Sequence, residues 1–389
     1  MNAERKADMT DIDKTREKID RIDEQLVALL TERMACSREV AAFKKENGLP
    51  ISDECRERDV LARVSAYSQP DEVGYMQSVF ETIFSVSRAC QSEYLYTDAP
   101  LREKIETAQA NTAPVFPAYA VVACQGIEGA YAQLAADRMF RSPSVMYFGR
   151  FEGVFSAVAG GMCRYGVLPI ENSTAGSVNE VYDLMRKNRF YIVRSIKYKI
   201  RHCLLAKPGV QLSEITEVCS HEQALAQCSA FLSGLHNVKI TACENTAIAA
   251  RMAALSEDRG VAALSSPECV ELYGLSVLAD DVMNSENNYT RFICISKELE
   301  IYPGSDKVSL MMSLQHKPGS LSRVISKFSA LGLNLTKLES RPIAGRDFEF
   351  TFYFDVRADV SASDVTALLC EFEREIDDFT YLGSYIEEA

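Results

Sequence analysis

The longest uninterrupted pattern in the chain is a helical one near its N-terminus. Between residues 11 and 47 there is no proline, and apolar side chains recur at helical spacing. A helix of this length is about 55 Å long at about 1.5 Å per residue. The two shorter helices predicted before residue 95 cannot cover it. We therefore expect the long helix to bury its apolar face against a second copy of the chain.

Cations lie on this apolar face. On a helical wheel that starts at Ile19, Arg33 and Lys44 fall among the apolar residues, and Arg16 lies at the margin of the face. Because burial of an unpaired charge is costly, such cations must be paired, exposed at the helix ends, or available to an anion. Snorkelling from a coiled-coil seam is the alternative explanation.

Composition excludes several classes of protein. The net charge of −13 disfavours binding to nucleic acid or to an acidic membrane, so any anion site must be built locally. The apolar runs are far shorter than the about 20 residues of a membrane span. The polar N-terminus lacks the apolar core of a secretory signal, so a cytoplasmic protein is expected. Twelve cysteines without a CxxC pair or a Cys/His cluster favour reduced, small core residues. Neither a metal nor an organic cofactor has ligands of suitable spacing in the sequence, so none is expected.

The 389 residues are enough for two or three domains. Residues 8–98 are predicted to form an all-α domain of three helices, and residues 99–118, with three prolines and no clear periodicity, are typical of a linker. Residues 119–297 alternate β-rich runs with helical patterns, which predicts an α/β domain. Residues 307–386 follow the order of a βαββαβ ferredoxin-like α+β unit.

Polar residues on the second and third predicted helices extend the set of cations. The first turns of the second helix contain Asp53, Arg56 and Glu57. Such acids also complement a helix dipole, and Ser52 is a possible N-cap. Ser87 and Gln91 share one face of the third helix at i and i+4. Together with the cations, these residues predict a site that binds a small dianion and contacts neutral oxygens.

The segments TREKIDRIDEQLVALLTER, FKKENGLPISDECRERD and SVSRACQ resemble the all-helical chorismate mutases. In that family two chains intertwine, and each site takes one arginine from the partner. The resemblance implies the Claisen rearrangement of chorismate to prephenate, with Lys44 and Gln91 donating to the breaking ether oxygen, the arginines holding two carboxylates and Glu57 binding the ring hydroxyl. The implied substrate-binding residues are Arg16 of the other subunit, Arg33, Lys44, Asp53, Arg56, Glu57, Ser87 and Gln91.

Polar loops interrupt the α/β region in three places. The sequence LPIENSTAGSVN follows an apolar strand, at the position where open α/β sheets bind ligands. The loop CSHEQ offers Ser220, His221 and Gln223 before a helix, where a lone histidine is more often structural. The segment NNYTRF places Thr290 and Arg291 at the start of a strand, where Thr290 by itself is only a good strand former.

With RHCLL and ELYGL, these segments resemble the prephenate dehydratases in order and spacing. The resemblance implies two lobes like those of periplasmic binding proteins, with a cleft in which prephenate loses CO₂ and its ring hydroxyl. Hydroxide is a poor leaving group, so a proton donor is needed, and Thr290 occupies the position regarded as essential in the family. Arg291 is a candidate for binding a carboxylate. The other implied hydrogen-bonding residues are Asn172, Ser173, Thr174 and Gln223.

The segments PGSLSRV and NLTKLESRP resemble the ACT domains of phenylalanine-regulated enzymes, which bind the amino acid at a subunit interface. A fold that only dimerises is the alternative. The resemblance implies L-phenylalanine as an allosteric effector and a homodimer or higher homo-oligomer, with Gly319 letting the backbone approach the charged end of the ligand. The implied effector-binding residues are Gly319, Ser320, Leu321, Glu339, Ser340, Arg341 and Pro342.

Together these resemblances predict one chain that catalyses both reactions under feedback control. An amino-acid-binding sensor whose helices only dimerise remains an alternative, as does a dehydratase with a vestigial mutase. The presence of Lys44, Gln91 and Thr290 favours the two-enzyme hypothesis, because a sensor needs none of them.

Overall fold

The computed structural model describes residues 2–343, 349–376 and 378–388, with side chains from residue 12 onward apart from position 54. Within this part the chain forms a helical N-terminal domain, a central α/β domain with two sheets and a C-terminal α+β domain. No described helix has a stretch long and apolar enough to cross a membrane.

The N-terminal domain contains the three predicted helices and a fourth. They are α1 (Asn2–Asn47), α2 (Glu54–Tyr67), α3 (Val73–Leu95) and α4 (Pro100–Asn111). The N-cap of α2 is Asp53 rather than Ser52, because Asp53 Oδ1 accepts the backbone N–H of Arg56 at 3.0 Å.

Helix α4 lies in the segment predicted as a linker. Pro100 occupies its start, where the missing N–H and the fixed φ of proline favour a helix. Leu101, Ile105 and Ala108 follow at i, i+4 and i+7 and are buried. The prolines and the shortness of this apolar stripe concealed the helix at the level of sequence.

Much of the apolar face of α1 has no cover within one chain. Ile19, Leu26 and Leu29 are 50%, 48% and 62% exposed, whereas Ser37 and Ala41 are buried in the part of α1 that contacts α3. An apolar surface of this extent is typical of a face that meets another protein.

The central domain alternates strands and helices as predicted. Its strands are β1 (Val121–Gln125), β2 (Ser144–Phe148), β3 (Tyr165–Asn172), β4 (Gly176–Ser177), β5 (Tyr191–Lys199), β6 (Cys203–Ala206), β7 (Glu217–Ser220), β8 (Lys239–Ala242), β9 (Val261–Ser265), β10 (Ser276–Ala279) and β11 (Tyr289–Ser296). Its helices are α5 (Tyr131–Met139), α6 (Phe151–Ala159), α7 (Asn179–Asn188), α8 (Glu222–Gln227), α9 (Ser229–Ser233), α10 (Thr246–Leu255) and α11 (Cys269–Tyr273).

The C-terminal domain follows the predicted βαββαβ order and ends in one further short strand. Its elements are β12 (Lys307–Leu314), α12 (Ser320–Ala330), β13 (Asn334–Pro342), β14 (Phe350–Arg357), α13 (Ser363–Glu375), β15 (Phe379–Tyr385) and β16 (Glu387–Glu388). The strands β12 to β15 form an antiparallel sheet in the order β13-β14-β12-β15, so β13 is an edge strand.

The two sheets of the central domain form two lobes. The first has the order β16-β5-β11-β3-β1-β2 with β4 beside β3, and the second has the order β10-β6-β9-β7-β8. Strand β11 returns to the first sheet after the second lobe and pairs antiparallel with β3. Their register places Thr290 opposite Asn172 and Arg291 opposite Glu171. Because side chains alternate along a strand, these two pairs point to opposite faces of the sheet.

The helices of the C-terminal domain pack on the N-terminal helices. Tyr96, Leu101 and Ile105 belong to the same buried apolar cluster as Phe328 of α12 and Phe372 of α13. The core of the C-terminal domain is therefore completed by residues from α3, α4 and the segment between them.

A buried ionic cluster joins the first sheet to the C-terminal domain. The guanidinium of Arg291 lies 2.8 Å from Glu171 Oε1, 2.6 Å from Asp355 Oδ2 and 3.4 Å from Glu387 Oε2. Glu387 also lies 2.8 Å from Lys307 Nζ. These residues line a cavity of about 220 Å³ between the two domains.

The ionic cluster predicts an acid-labile interface. Burial alone raises the pKa of Glu387, but hydrogen bonds and charges from Lys307, Arg291 and Lys197 outweigh it and lower the pKa to about 2. A carboxyl group with a lowered pKa in the folded state stabilises the fold above its unfolded pKa, and this stabilisation is lost as the pH falls towards about 2. We expect the free energy of unfolding to drop by up to about 3 kcal/mol between pH 5 and 2 from this group.

Urea denaturation across that pH range measures the effect. Glu387→Gln is the matched control, since it keeps the shape of the side chain and removes the titrating group. Identical pH dependence in the variant and the unchanged chain would contradict the assignment.

Candidate active sites

The N-terminal domain brings two cations of α1 against the polar face of α3. Lys44 Nζ donates to Gln91 Oε1 at 3.2 Å and to the carbonyl oxygen of Ile51 at 2.5 Å, and the Arg33 guanidinium donates to Ser87 Oγ. Ser87 and Gln91 are 6% and 8% exposed. The cations on the apolar face are therefore directed at buried hydrogen-bonding partners.

Burial sets the electrostatics of this cluster. Desolvation lowers the pKa of Arg33. It also lowers the pKa of Lys44, although the negative charges of Asp53 and Glu57 act in the opposite direction and raise it. Since the oxygen of the Gln91 amide accepts from Lys44, its Nε2 is the end available to a ligand. The cluster thus offers Lys44 and Gln91 as two adjacent donors.

The remaining predicted residues of this domain differ in how closely they join the cluster. Glu57 lies 2.5 Å from Arg88 Nη1 in a partly buried ion pair. Asp53 and Arg56 are exposed at the start of α2. Arg88 is not among the predicted residues, although it directly follows Ser87 and pairs with Glu57.

Arg16 stays away from this cluster within one chain. It is exposed, with Nη1 3.4 Å from Asp13 Oδ1. Arg33 lies 17 positions further along the same helix, which corresponds to about 25 Å of helix axis. Within one chain, Arg16 therefore does not reach this site.

In the central domain, Thr290 lies beside Asn172 where β11 and β3 pair. Asn172 Nδ2 donates to Thr290 Oγ1 at 2.9 Å, and both side chains are 8% exposed. Asn172 Oδ1 accepts from the backbone N–H of Thr174 at 3.0 Å and from that of Ala175 at 2.9 Å. These acceptor contacts orient the Asn172 amide, so that its NH₂ group faces Thr290.

The same amide belongs to a closed ring of four side chains that spans both lobes. Thr174 Oγ1 donates to Asn172 Oδ1 at 2.7 Å, and Asn172 Nδ2 donates to Asn288 Oδ1 at 2.8 Å. Asn288 Nδ2 donates to Gln227 Oε1 at 3.0 Å, and Gln227 Nε2 donates to Thr174 Oγ1 at 2.8 Å. Each member donates to the next, so the ring fixes every amide orientation. Gln227 lies on α8 and supplies the contribution of the second lobe.

The ring determines what Thr290 can do. Because Thr290 Oγ1 accepts from Asn172, the hydroxyl proton is not used in that bond and can be donated to another group. A hydroxyl that accepts a hydrogen bond is also a better donor, since hydrogen bonds in a chain polarise one another.

His202 lies against the ring through Gln227. Its Nε2 is 3.3 Å from Gln227 Oε1, and burial lowers the pKa of the imidazole to about 4. A neutral ring facing an amide oxygen must be protonated at Nε2. His202, Gln227 and Asn288 are not among the predicted residues, although RHCLL contains His202, NNYTRF contains Asn288, and Gln227 lies four positions after Gln223.

The structure places other predicted residues at the edge of this site. Ser173 Oγ donates to the carbonyl of Asn287 at 3.0 Å and holds the loop in place. Gln223 lies on α8 one turn before Gln227. His221 is the N-cap of α8, with Nδ1 accepting the backbone N–H of Gln223, which favours its structural role over an acid or base.

Arg291 does not face Thr290. Its guanidinium lies on the opposite side of the sheet, 4% exposed and held by Glu171, Asp355 and Glu387. The expectation that Arg291 binds a substrate carboxylate is at odds with this placement. Strand alternation is the physical reason, because consecutive residues of β11 cannot both face the cleft.

The predicted effector residues lie at the start of α12 and along β13. Gly319 is the N-cap of α12 with φ +82°, a conformation that favours glycine. Ser320 is buried and Leu321 is partly buried in the apolar cluster. On β13, Glu339 accepts from Ser177 Oγ at 2.8 Å. The other β13 residues are Ser340, Arg341, whose Nη2 lies 3.4 Å from Asp183 Oδ2, and Pro342.

Among the described residues, no three His, Cys, Asp or Glu side chains are grouped so as to hold a metal ion. Both clusters instead consist of hydrogen-bond donors and acceptors, which suit a polar organic ligand.

Two protein families match the chain. The chorismate mutase type II family matches residues 15–92, and the prephenate dehydratase family matches residues 122–300. The bifunctional chorismate mutase/prephenate dehydratase of Escherichia coli strain K12 is 32% identical over 384 residues, which cover 96% of this chain and 95% of that protein. The chain belongs to this bifunctional family.

Other similar proteins match a smaller share of the chain. Arogenate dehydratase/prephenate dehydratase 2 of Arabidopsis thaliana is 34% identical over 311 residues, covering 77% of this chain and 81% of that protein. Prephenate dehydratase from Arthrobacter aurescens, solved in complex with L-Phe, has a TM-score of 0.62 and 27% identity, covering 68% of this chain and 89% of that one.

The ring predicts an unusual pH dependence for Gln227→Glu. A carboxylate cannot donate to Thr174, so the ring opens and the dehydratase kcat should fall by about 10-fold, the cost of about one hydrogen bond to a polar network. Protonation of the new carboxyl group restores a donor, so the ratio of variant to unchanged rates should rise as the pH is lowered.

Dehydratase rates of both proteins over a pH series, started from prephenate, test this expectation. The mutase rate of the same preparations is the internal control, because the N-terminal site does not contact the ring. A ratio that stays constant with pH would contradict the role of Gln227 as a donor.

Proposed function

We propose that this chain converts chorismate to prephenate in the N-terminal domain and prephenate to phenylpyruvate in the central domain. The observation that carries the proposal is the pair of polar clusters, one in each domain matched by the corresponding family. The match to a bifunctional relative over 96% of the chain supports the presence of both activities.

The mutase cluster suits a rearrangement that needs no covalent step. Lys44 and the Nε2 of Gln91 are adjacent donors for the ether oxygen, on which charge develops as the bond breaks. Arg33, with Arg16 of a partner, would hold the two carboxylates and select the reactive conformer. Partial burial of Arg33 and Lys44 strengthens these interactions, because the local dielectric is lower than in water.

A second copy of the chain completes this site in our proposal. Arg16 lies too far from Arg33 within one chain, and the apolar face of α1 is exposed. Antiparallel pairing of two α1 helices would bury that face and bring Arg16 of the partner towards Lys44. We therefore propose a homodimer.

The dehydratase cluster suits protonation of a leaving hydroxyl group. As the bond between the ring and the carboxylate breaks, its electron pair forms the new ring double bond while the C–O bond breaks, giving CO₂, water and phenylpyruvate. The leaving oxygen must gain one proton overall. Thr290 accepts from Asn172, so its hydroxyl is oriented and polarised to donate its proton to the leaving oxygen. The proton consumed overall is taken up from solvent and restores the Thr290 hydroxyl.

L-phenylalanine is the proposed effector of the C-terminal domain, which we identify as an ACT domain. The left-handed Gly319 precedes α12, and β13 is an edge strand that a second copy can approach. The solved Arthrobacter aurescens dehydratase in complex with L-Phe supports this ligand. Glu339 and Lys337 of β13 contact Ser177 of β4, which gives the effector region a direct contact with the dehydratase lobe.

Substitutions separate the two activities. Lys44→Ala should lower mutase kcat by about 100-fold or more, the cost of one transition-state donor, without affecting dehydration of added prephenate. Thr290→Ala should lower dehydratase kcat by about 100-fold or more and spare the mutase. Lys45→Ala is a matched control on α1, because Lys45 contacts Thr97 and Asp98 instead of the cluster. Loss of both activities in either variant would contradict independent sites.

The whole proposal is tested by giving the purified chain chorismate alone and following chorismate, prephenate and phenylpyruvate over time. We expect prephenate to appear first and phenylpyruvate to follow. Parallel reactions with prephenate and arogenate compare the two substrates named for relatives. Unchanged chorismate with active dehydration would indicate a vestigial mutase, and no turnover of any substrate would favour an amino-acid sensor.

Binding of the effector has its own expected outcome. L-phenylalanine should lower the dehydratase rate and raise the melting temperature, because a ligand that binds only the folded state stabilises it. D-phenylalanine at equal concentration is the control. A catalytically active preparation in which L-phenylalanine changes neither quantity would rule out the regulatory assignment.

A further inference from the structure

Helix α3 carries a mutase residue and a contact to the C-terminal domain at consecutive positions. Gln91 faces Lys44, and Ser92, which is 1% exposed, donates through Oγ to the carboxylate of Glu371 on α13. Glu371 is 2% exposed, and its Oε1 lies 2.6 Å from Lys327 Nζ on α12. Three helices from two domains therefore meet at one buried polar triad of Ser92, Glu371 and Lys327.

This triad lies on a direct route from the proposed effector loop. Helix α12 begins at Ser320, immediately after Gly319, and Lys327 lies two turns further along the same helix. A displacement of the start of α12 moves Lys327 with it, because a helix of this length is a rigid element. The route ends at the turn of α3 that holds Gln91.

The second mutase donor has a link to the same domain. Lys44 Nζ donates to the carbonyl oxygen of Ile51, which is 3% exposed. Ile51 belongs to the apolar cluster that contains Phe328 of α12 and Phe372 of α13. Both donors proposed for the ether oxygen thus rest on residues that contact the helices of the C-terminal domain.

The polar triad differs physically from the apolar contacts around it. Apolar contacts are non-directional and tolerate small sliding movements. A buried carboxylate that is separated from its cation is strongly destabilised, so Glu371 must follow Lys327 when α12 moves. Burial raises the pKa of Glu371, while the charge of Lys327 opposes this shift.

We propose that Glu371 is a positioning residue of the mutase site, which transmits the state of the effector loop through Ser92 to Gln91. The inference rests on the proposed effector function of the C-terminal domain. In this proposal the interface between α3, α12 and α13 regulates the mutase reaction. The contacts of β13 with the dehydratase lobe form a separate route.

The test uses the full chain and three variants. Ser92→Ala removes the hydroxyl, and Glu371→Gln keeps the acceptor for Ser92 but removes the charge that pairs with Lys327. Glu375→Gln is the matched control, because Glu375 lies on the same helix, contacts the same Lys327 Nζ at 2.6 Å and is more exposed. For each protein, mutase and dehydratase kcat and KM are measured with and without L-phenylalanine, together with the melting temperature.

We expect L-phenylalanine to lower mutase kcat in the unchanged chain and in Glu375→Gln. In Ser92→Ala and Glu371→Gln the ratio of mutase kcat without and with L-phenylalanine should fall to unity, while inhibition of the dehydratase persists. A purely structural role of the triad would instead change the melting temperature or both activities together. If Glu371→Gln does not fold, the test rests on Ser92→Ala, which removes a single oxygen atom.

Other outcomes overturn the inference. They are an unaltered mutase response in Ser92→Ala, a loss of both responses in the variants, or a change only in mutase KM. Inhibition of the dehydratase without any effect on the mutase in the unchanged chain would overturn this inference and leave the effector function intact. Absence of any response to L-phenylalanine would reject the effector function itself, which makes the two failures distinguishable.

Discussion

The antiparallel register between β3 and β11 determines the arrangement of the central and C-terminal domains. It places Asn172 beside Thr290 on the face towards the cleft and Glu171 beside Arg291 on the other face. In the first pair, Asn172 belongs to the hydrogen-bond ring and donates to Thr290. The other pair is the core of the ionic cluster with Asp355 and Glu387. A shift of one residue would exchange the two faces and destroy both features.

The ring and the ionic cluster have different physical demands. The ring consists of neutral groups, and it orients the side chains that form it. Each amide has a single orientation that satisfies all of its hydrogen-bond partners. The ionic cluster contains a nearly inaccessible Arg291, and its three carboxylates compensate the cost of burying that cation. The catalytic face is thus free of fixed charge from Arg291, while the opposite face holds the C-terminal domain.

The N-terminal site depends on the same balance between burial and pairing. Lys44 and Arg33 lie close to the apolar face of α1, and their partners come from the polar face of α3. Part of that site is attached to the C-terminal domain through Ser92 and Ile51. Each proposed active site therefore contacts the C-terminal domain by its own elements, α3 for the mutase and β3, β4 and β11 for the dehydratase.

Much of the architecture follows from periodicity in the sequence. The three N-terminal helices, the alternating central domain and the βαββαβ order were predictable because long amphipathic and apolar segments leave few alternatives. Helix α4 was not predictable in this way, because its short apolar stripe of Leu101, Ile105 and Ala108 is buried only by contact with the core of the C-terminal domain. Ser52 and Asp53 are both suitable N-cap residues by type, and the choice of Asp53 depends on backbone geometry.

Residue types were easier to predict than their partners. The sequence by itself determined that Arg33 and Lys44 share one face of α1 and that Ser87 and Gln91 share one face of α3, because helical spacing sets both. Only the tertiary structure decided that Gln227, Asn288 and His202 join Asn172 and that Arg291 turns away from Thr290. The physical reason is that helical spacing is local, whereas a hydrogen-bond ring across two lobes and the two faces of a sheet depend on which distant strands pair and in which register.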